Sequence, residues 1–343
     1  MTLRAPFPYF GGKSTIADEV WARLGEPKQY IEPFCGSAAM LLAATKPASL
    51  EVAGDVNCWI ANFWRTVKNQ PDTVAAAADY PVSHIDLHAR HAWLTQPERV
   101  QALAEALSDP EWPGDAKIAG WWVWGQCAWI GSGWCEPCTD GRTDRRPPGQ
   151  LAQIPFVGHA GLGVQRARCR TTPTRAAGCN DASQQKPFLS STGMGIQRCS
   201  FDGTDGIRGW FRSLSQRLAR VRLIHGDWSR CMNHHYGAED TAVFFDPPYV
   251  SFERLYGRKT EPVALAVAKW CAEHAELRVA LCGHVGDYES ILPAWPTLPW
   301  SRGRLTYGGG KTTDEECVWF SPSCVSVRRA EQLSLLDSAG GHA

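Results

Sequence analysis

Nowhere in the chain do about 18 apolar residues run together, so a membrane-spanning helix is excluded. Met1 to Pro8 holds no basic region followed by an apolar run, so no secretory leader is read there and a cytoplasmic protein is expected. Neither sign of charge is in excess. The 35 Lys and Arg stand against 35 Asp and Glu, with a pI of about 7.1, and no global basic field advertises nucleic acid. The thirteen cysteines are odd in number and scattered, which fits reduced thiols better than a disulfide framework. Cys135 and Cys138 form a C-x-x-C pair that no second pair follows. A structural zinc needs two more ligands at regular spacing, and Cys169, Cys179 and Cys199 do not supply them. Two nucleotide signatures are also missing. Gly12, Lys13, Ser14 lacks the earlier glycine of a phosphate-binding P-loop, because Phe7 stands there, and nucleotide hydrolysis is rejected. No complete G-x-G-x-x-G occurs, so the pyrophosphate of a dinucleotide is not expected.

What is present begins with 44% hydrophobic residues over 343, enough for one large domain or two ordinary ones. The stretch that organises the chain is Asp246, Pro247, Pro248, Tyr249, placed at the end of the apolar run Ala242 to Phe245. Two prolines fix two φ angles and remove two donors, and each pushes the residue before it to extended geometry. A carboxylate, an outward carbonyl and an aromatic face are thereby held in one tight turn at a strand tip. That set grips a planar ring bearing an amino group, through two acceptors and a stacking face.

Tyr9, Phe10, Gly11, Gly12, Lys13 reads as a glycine loop opening a helix over Thr15 to Leu24, either an ordinary turn or a receiver for a carboxylate. Gln29 to Glu32 reads as a strand, Gly36 as a tight turn, and Ser37 as the cap of a helix over Ala38 to Ala44. A second strand, Leu50 to Ala53, leads to Asp55, nineteen residues after Gly36. At that spacing a Rossmann-like unit carries the acid that accepts hydrogen bonds from ribose hydroxyls, although Asp55 also reads as the cap of the next helix. A nucleoside cofactor without a diphosphate fits, and S-adenosylmethionine is the obvious one, its amino-acid end suiting Glu32 or Asp246 and Lys13.

Pro71 to about Ala119 reads as helical. A tryptophan-rich stretch, Trp121 to Trp134, then gives way to a loop-rich segment. Between Gly141 and Ser200 nine Lys and Arg stand against two acids, the local excess that phosphate contacts use. Pro155 to Arg166 recurs as Pro187 to Arg198, with six of twelve positions identical at an offset of 32. Each copy ends in Gln and Arg (Gln165, Arg166; Gln197, Arg198), reading as recognition hairpins that address DNA or as a structural duplication. Regular structure returns with a helix over Trp210 to Val221 and a strand ending at Asp227, a carboxylate suited to an adenine amino group. Beyond the Asp246 loop the pattern predicts a helix over Pro262 to Ala275, a strand over Arg278 to Cys282, a short helix over Tyr288 to Leu292 and a last strand over Cys317 to Phe320. Alternating strands and helices imply an α/β fold, an open Rossmann-like sheet with its ligand at the C-terminal strand edges, where Gly36, Asp55, Asp227 and Asp246 all fall.

With those residues in place the chain resembles the Dam-like, alpha-group DNA adenine methyltransferases, most closely their phage and prophage members. The resemblance covers Pro8 to Asn69 and Leu214 to about Pro322, in the order glycine–lysine motif, Glu32-Pro33-Phe34 with Gly36, target recognition, then Asp246 to Tyr249. It implies a discontinuous S-adenosylmethionine-dependent catalytic domain (1–70 and 205–325), an inserted target-recognition domain (71–204) and a flexible tail (326–343). It also implies cofactor contacts from Tyr9, Lys13, Asp55 and Asp246, a flipped adenine held by Asp246, Pro247 and Tyr249, and double-stranded DNA as partner in the cytoplasm or nucleoid of a bacterial host. Cytosine, RNA and protein glutamine offer the same planar amino group; aspartate at 246 favours adenine, where asparagine favours cytosine or glutamine. A catalytically silent DNA-binding protein is the alternative from another class, and the intact loop with Asp55 and Lys13 argues against it. Gln332, Leu333, Ser334, Leu335, Leu336 resembles the peptide by which bacterial replication proteins dock on the sliding clamp, or else ends an amphipathic helix.

Overall fold

The computed structural model describes residues 3–9, 13–129, 134–135, 206–232, 240–249, 262–300 and 316–326. In chain order the elements are α1 (Ala17–Leu24), β1 (Gln29–Glu32), α2 (Ala39–Ala43), β2 (Leu50–Asp55), α3 (Cys58–Asn69), α4 (Pro71–Ala78), α5 (His84–Leu94), α6 (Pro97–Ala106) and α7 (Ala116–Ala128). There follow α8 (Gly206–Leu218), β3 (Val221–His225), α9 (Ser229–Met232), β4 (Thr241–Phe245), α10 (Val263–Glu273), β5 (Arg278–His284), β6 (Thr297–Trp300) and β7 (Glu316–Phe320). The chain divides into two units, one of Met1–Thr2, Lys13–Gly54 and Asp227–Ala343, the other of Leu3–Gly12 and Asp55–Gly226. Among the described residues no helix is long and apolar enough to cross a membrane.

The first unit is built on strands in the order β2-β1-β4-β5-β7-β6. The first four are parallel, with Ile31 beside both Val52 and Val243, and Phe244 beside Ala280. Every residue of β1 and β4 is buried, which is why Ala242 to Phe245 is a continuous apolar run rather than an alternating one. Antiparallel β7 then pairs with β5, and β6 with β7. This is the mixed α/β, mostly parallel architecture expected of the chain. A break at Phe245 leaves Asp246 at the carboxyl end of a central strand, the position at which open α/β sheets bind ligands.

Three local expectations are corrected. Ser37 does not cap a helix: the residue before α2 is Ala38, in the left-handed region at φ 53°, and no side chain caps it. The turn is closed by backbone instead, with Ala38 N donating to Cys35 O and Gly36 at φ 46° absorbing the bend that a Cβ would oppose. Tyr288 to Leu292 is a pair of turns in which the Ile291 and Leu292 N–H groups donate to Tyr288 O, and Pro293 stops it from propagating. β6 has no counterpart in the expected elements. It contains Pro299, a residue tolerated at a sheet edge, and β6 is that edge.

The second unit packs helices α3 to α8 and β3 around aromatic rings. Phe7 lies edge-on to Phe63 at 5.3 Å and to Trp122 at 4.8 Å, and Phe63 to Phe211 at 5.9 Å. Trp122 and Trp124 of the tryptophan-rich stretch are therefore core residues. Arg90 is buried with its guanidinium 4.4, 4.9 and 4.3 Å from the rings of Tyr80, Trp121 and Trp124.

Candidate active site

The Asp246–Tyr249 turn is tied to the glycine–lysine motif and to the last strand. Lys13 stands one turn before α1, 2% exposed, and its Nζ donates to Asp246 Oδ1 at 2.8 Å, to Oδ2 at 2.9 Å and to the Tyr249 hydroxyl at 2.9 Å. Tyr249 Oη donates in turn to Glu316 Oε2 at 3.1 Å, and that carboxylate lies 3.7 Å from Lys13 Nζ. The Tyr249 ring meets His284 edge-on at 4.5 Å. Pro247 is buried and Pro248 exposed.

Electrostatics follow from that geometry. Burial works against the Lys13 ammonium, but Asp246 first and Glu316 after it outweigh burial, and the pKa is raised above its ordinary value. Burial, then the charges of Asp246 and Glu316, push the Tyr249 phenol well up, so it is a neutral hydroxyl donor. A buried ammonium shared by two carboxylates and a phenol fixes all three, because moving any one leaves a desolvated charge unpaired. The carboxylate expected to be received at the glycine–lysine loop is here supplied by the chain itself.

Glu32, at the tip of β1, is also buried, and its Oε2 accepts from the Tyr30 hydroxyl at 3.0 Å and from Leu41 N at 2.9 Å. These bonds stitch the strand tip to α2 across the Gly36 turn. Burial raises its pKa from 4.5 to about 8, against the lowering effect of those two donors. The folded protein thus keeps a proton that the unfolded chain releases above pH 4.5. The resulting stability is fully present below that pH and is lost as pH rises through about 8, by a few kcal/mol at most. Denaturant unfolding measured from pH 5 to 8 is expected to show this decline and Glu32→Gln to flatten it; an equal slope in the variant would refute the assignment.

The other expected residues are placed as follows. Asp227 is exposed, and its Oδ1 accepts from Ser229 N at 3.0 Å and from the Ser229 hydroxyl, at the start of α9. Beside it Trp228 meets Phe245 edge-on at 5.9 Å, Phe245 lies 6.4 Å from Phe34, and Trp228 and Phe34 are half-buried. Tyr9 and Asp55 belong to the second unit. Asp55 is buried and does not cap α3: Asn57 does, accepting from Trp59 N and Ile60 N, while Asp55 Oδ1 accepts from Asn57 N at 2.8 Å. Arg166, Arg198, Gln165, Gln197, their repeat, Cys138 and the Gln332–Leu336 peptide lie outside the described residues. Among the described residues no His, Cys, Asp and Glu cluster is arranged to hold a metal.

Glu316 and His284 are members of the site that sequence reasoning does not reach. They are cross-strand partners in the antiparallel β5–β7 pair, which brings both to Tyr249. The only hint in the sequence is the acid run Asp314, Glu315, Glu316 before the last apolar run, and it does not say which acid faces the site, since a one-residue slip reverses every side chain.

Residues 9–91 match the family model described as D12 class N6 adenine-specific DNA methyltransferase. No curated protein matches the chain. The family indicates an S-adenosylmethionine-dependent DNA adenine methyltransferase, with adenine-N6 methylation as the reaction class and DNA as the substrate.

Proposed function

We propose that this DNA adenine methyltransferase transfers the methyl group of S-adenosylmethionine to N6 of an adenine flipped out of a duplex, at a site held by Asp246, Pro247, Pro248 and Tyr249. The observation that carries the reading is the Lys13 ammonium, bonded to both Asp246 oxygens and to the Tyr249 hydroxyl. It holds a half-buried carboxylate and a buried aromatic ring in one fixed orientation at a strand tip.

When bound, S-adenosylmethionine supplies an electrophilic methyl group on a cationic sulfur. The first unit's strand tips fit such a cofactor. Asp227 and Asp246 match its positive charges, Glu32 beneath the Gly36 turn holds that turn in place, and the half-buried rings of Phe34 and Trp228 match its planar purine. The resemblance adds Lys13, Tyr9 and Asp55 to its contacts. The chain's own contribution is positioning. An adenine inside a duplex is out of reach, and flipping it costs a few kcal/mol of unstacking, which Tyr249 restores by stacking. A carboxylate has about four lone-pair positions, of which Lys13 takes two. Hydrogen bonds from the amino group to Asp246 and to the Pro247 carbonyl aim the nitrogen lone pair; the nitrogen–methyl bond forms as the sulfur–methyl bond breaks, leaving S-adenosylhomocysteine as the neutral thioether, and the amino group's surplus proton passes to solvent. No covalent enzyme intermediate is required.

The reading assigns target recognition to residues 71–204, with Gln165, Arg166, Gln197 and Arg198 on the DNA, and sliding-clamp docking to Gln332 through Leu336. It places the enzyme in the cytoplasm or nucleoid of a bacterial host. Incubation with methyl-labelled cofactor and duplex DNA, followed by single-base mapping, is expected to yield N6-methyladenine within a defined sequence. Label in cytosine, RNA or protein glutamine overturns the acceptor, and cofactor binding with no transfer overturns the catalysis.

A further inference from the structure

The second unit contains an open cleft of about 470 Å³ between the end of α3 and the start of β3. Four of its eight lining residues, Arg65, Lys68, Arg220 and Arg222, are cationic, and none is acidic. On a chain of zero net charge that is a concentrated positive site. A single lysine in the last turn of a helix is ordinary, since it meets the negative end of the helix dipole. That explanation covers Lys68 and not Arg220 or Arg222, which come from β3 and the residue before it.

The four side chains are arranged rather than scattered. Lys68 Nζ donates to Val221 O at 2.8 Å, and the Arg65 guanidinium donates to Leu107 O at 3.0 Å and to Asp109 O at 2.6 Å. The partners that hold these two cations are backbone carbonyls, which orient them without neutralising them. Burial accordingly lowers the Lys68 pKa. Arg220, in the turn before β3, and Arg222, on β3, flank the buried Val221; both line the cleft and both are exposed.

We propose that this cleft binds backbone phosphates of DNA, as a contact that shares no residue with the Asp246–Tyr249 loop. The inference rests on the DNA methyltransferase reading for its choice of polyanion. Four separate cations around an open cleft suit successive phosphodiesters better than a single enclosed phosphate. Such a contact carries no sequence information; it adds affinity and salt dependence.

The test is the double variant Arg220→Gln/Arg222→Gln, at two exposed positions where folding is preserved, with unchanged circular dichroism as the control. Duplex binding is followed by fluorescence anisotropy across a salt series, and methyl transfer is measured at saturating DNA. Each lost phosphate contact removes about 0.9 from the slope of log K against log salt, so a fall of about 2 is expected. Affinity near 0.1 M salt is expected to drop roughly ten- to a hundredfold, with kcat unchanged. An unaltered slope and affinity in the folded variant overturns the cleft assignment while leaving the methyltransferase reading intact. A changed slope in a protein that transfers no methyl group to DNA supports the cleft and overturns that reading. Inorganic phosphate titrated calorimetrically onto the wild type is expected to give no saturable heat; saturation that the double variant abolishes would assign the cleft to a lone phosphate instead.

Discussion

Asp246→Ala is expected to lower methyl transfer to DNA by at least about 10³-fold while leaving a folded protein. Two losses combine. The target amino group loses the carboxylate proposed to accept its hydrogen bond, and Lys13 loses the partner that both oxygens engage at 2.8 and 2.9 Å. The second loss is structural, so alanine alone does not isolate the first. Asp246→Asn separates them, because an amide keeps one acceptor oxygen for the base and gives up the negative charge that balances Lys13. The asparagine variant is expected to fall between wild type and alanine in kcat, with circular dichroism and cofactor calorimetry reporting whether the fold and the cofactor site survive. Alanine activity within tenfold of wild type would remove Asp246 from the chemistry.

The position of Asp246 is legible in the amino-acid sequence because every cue for it is local. The uninterrupted apolar run from Ala242 to Phe245 marks a strand buried on both faces, and two prolines follow it, so an acid at that point stands at a strand tip. The Gly36 turn is legible for the same reason, since a left-handed φ calls for glycine; that Ala38 also adopts one is not, and it displaces the expected Ser37 cap. Glu316 is the opposite case. Its place beside Tyr249 depends on the register of β7 against β5, a pairing between residues 32 apart whose connecting chain carries no cue to alignment. The edge strand β6 escapes sequence reasoning because Pro299 argues against a strand unless the edge is already known. The family match ends at residue 91, so the assembly of Lys13 with Asp246, Tyr249 and Glu316 is legible only in three dimensions.

Lys13→Met is expected to be the most destabilising single change at this site, by about 3–5 kcal/mol, because removing one member of a buried ion cluster leaves the others desolvated and unbalanced. Methionine fills similar volume, so the loss is electrostatic rather than a cavity. Asp246 and Glu316 would then face the Tyr249 hydroxyl without the Lys13 ammonium between them, and methyl transfer is expected to fail with them. The pH dependence distinguishes this cause from simple misfolding. In the wild type the raised Lys13 pKa contributes stability that is fully present below its ordinary value of 10.5 and is lost only as pH rises through the raised one, so between pH 5 and 8 Lys13 adds no slope. In the variant Asp246 and Glu316 lose the Lys13 charge, and its deficit relative to wild type should shrink as pH falls from 8 to 5. Glu32 titrates in both proteins and cancels in that difference. A second change, Glu316→Gln in the Lys13→Met background, removes one of the two repelling charges and is expected to recover part of the loss at pH 8 and little at pH 5, a coupling that a double-mutant cycle measures. A deficit independent of pH, or no recovery in the double variant, would mean that the cluster is held by packing and that its charges do not organise the site.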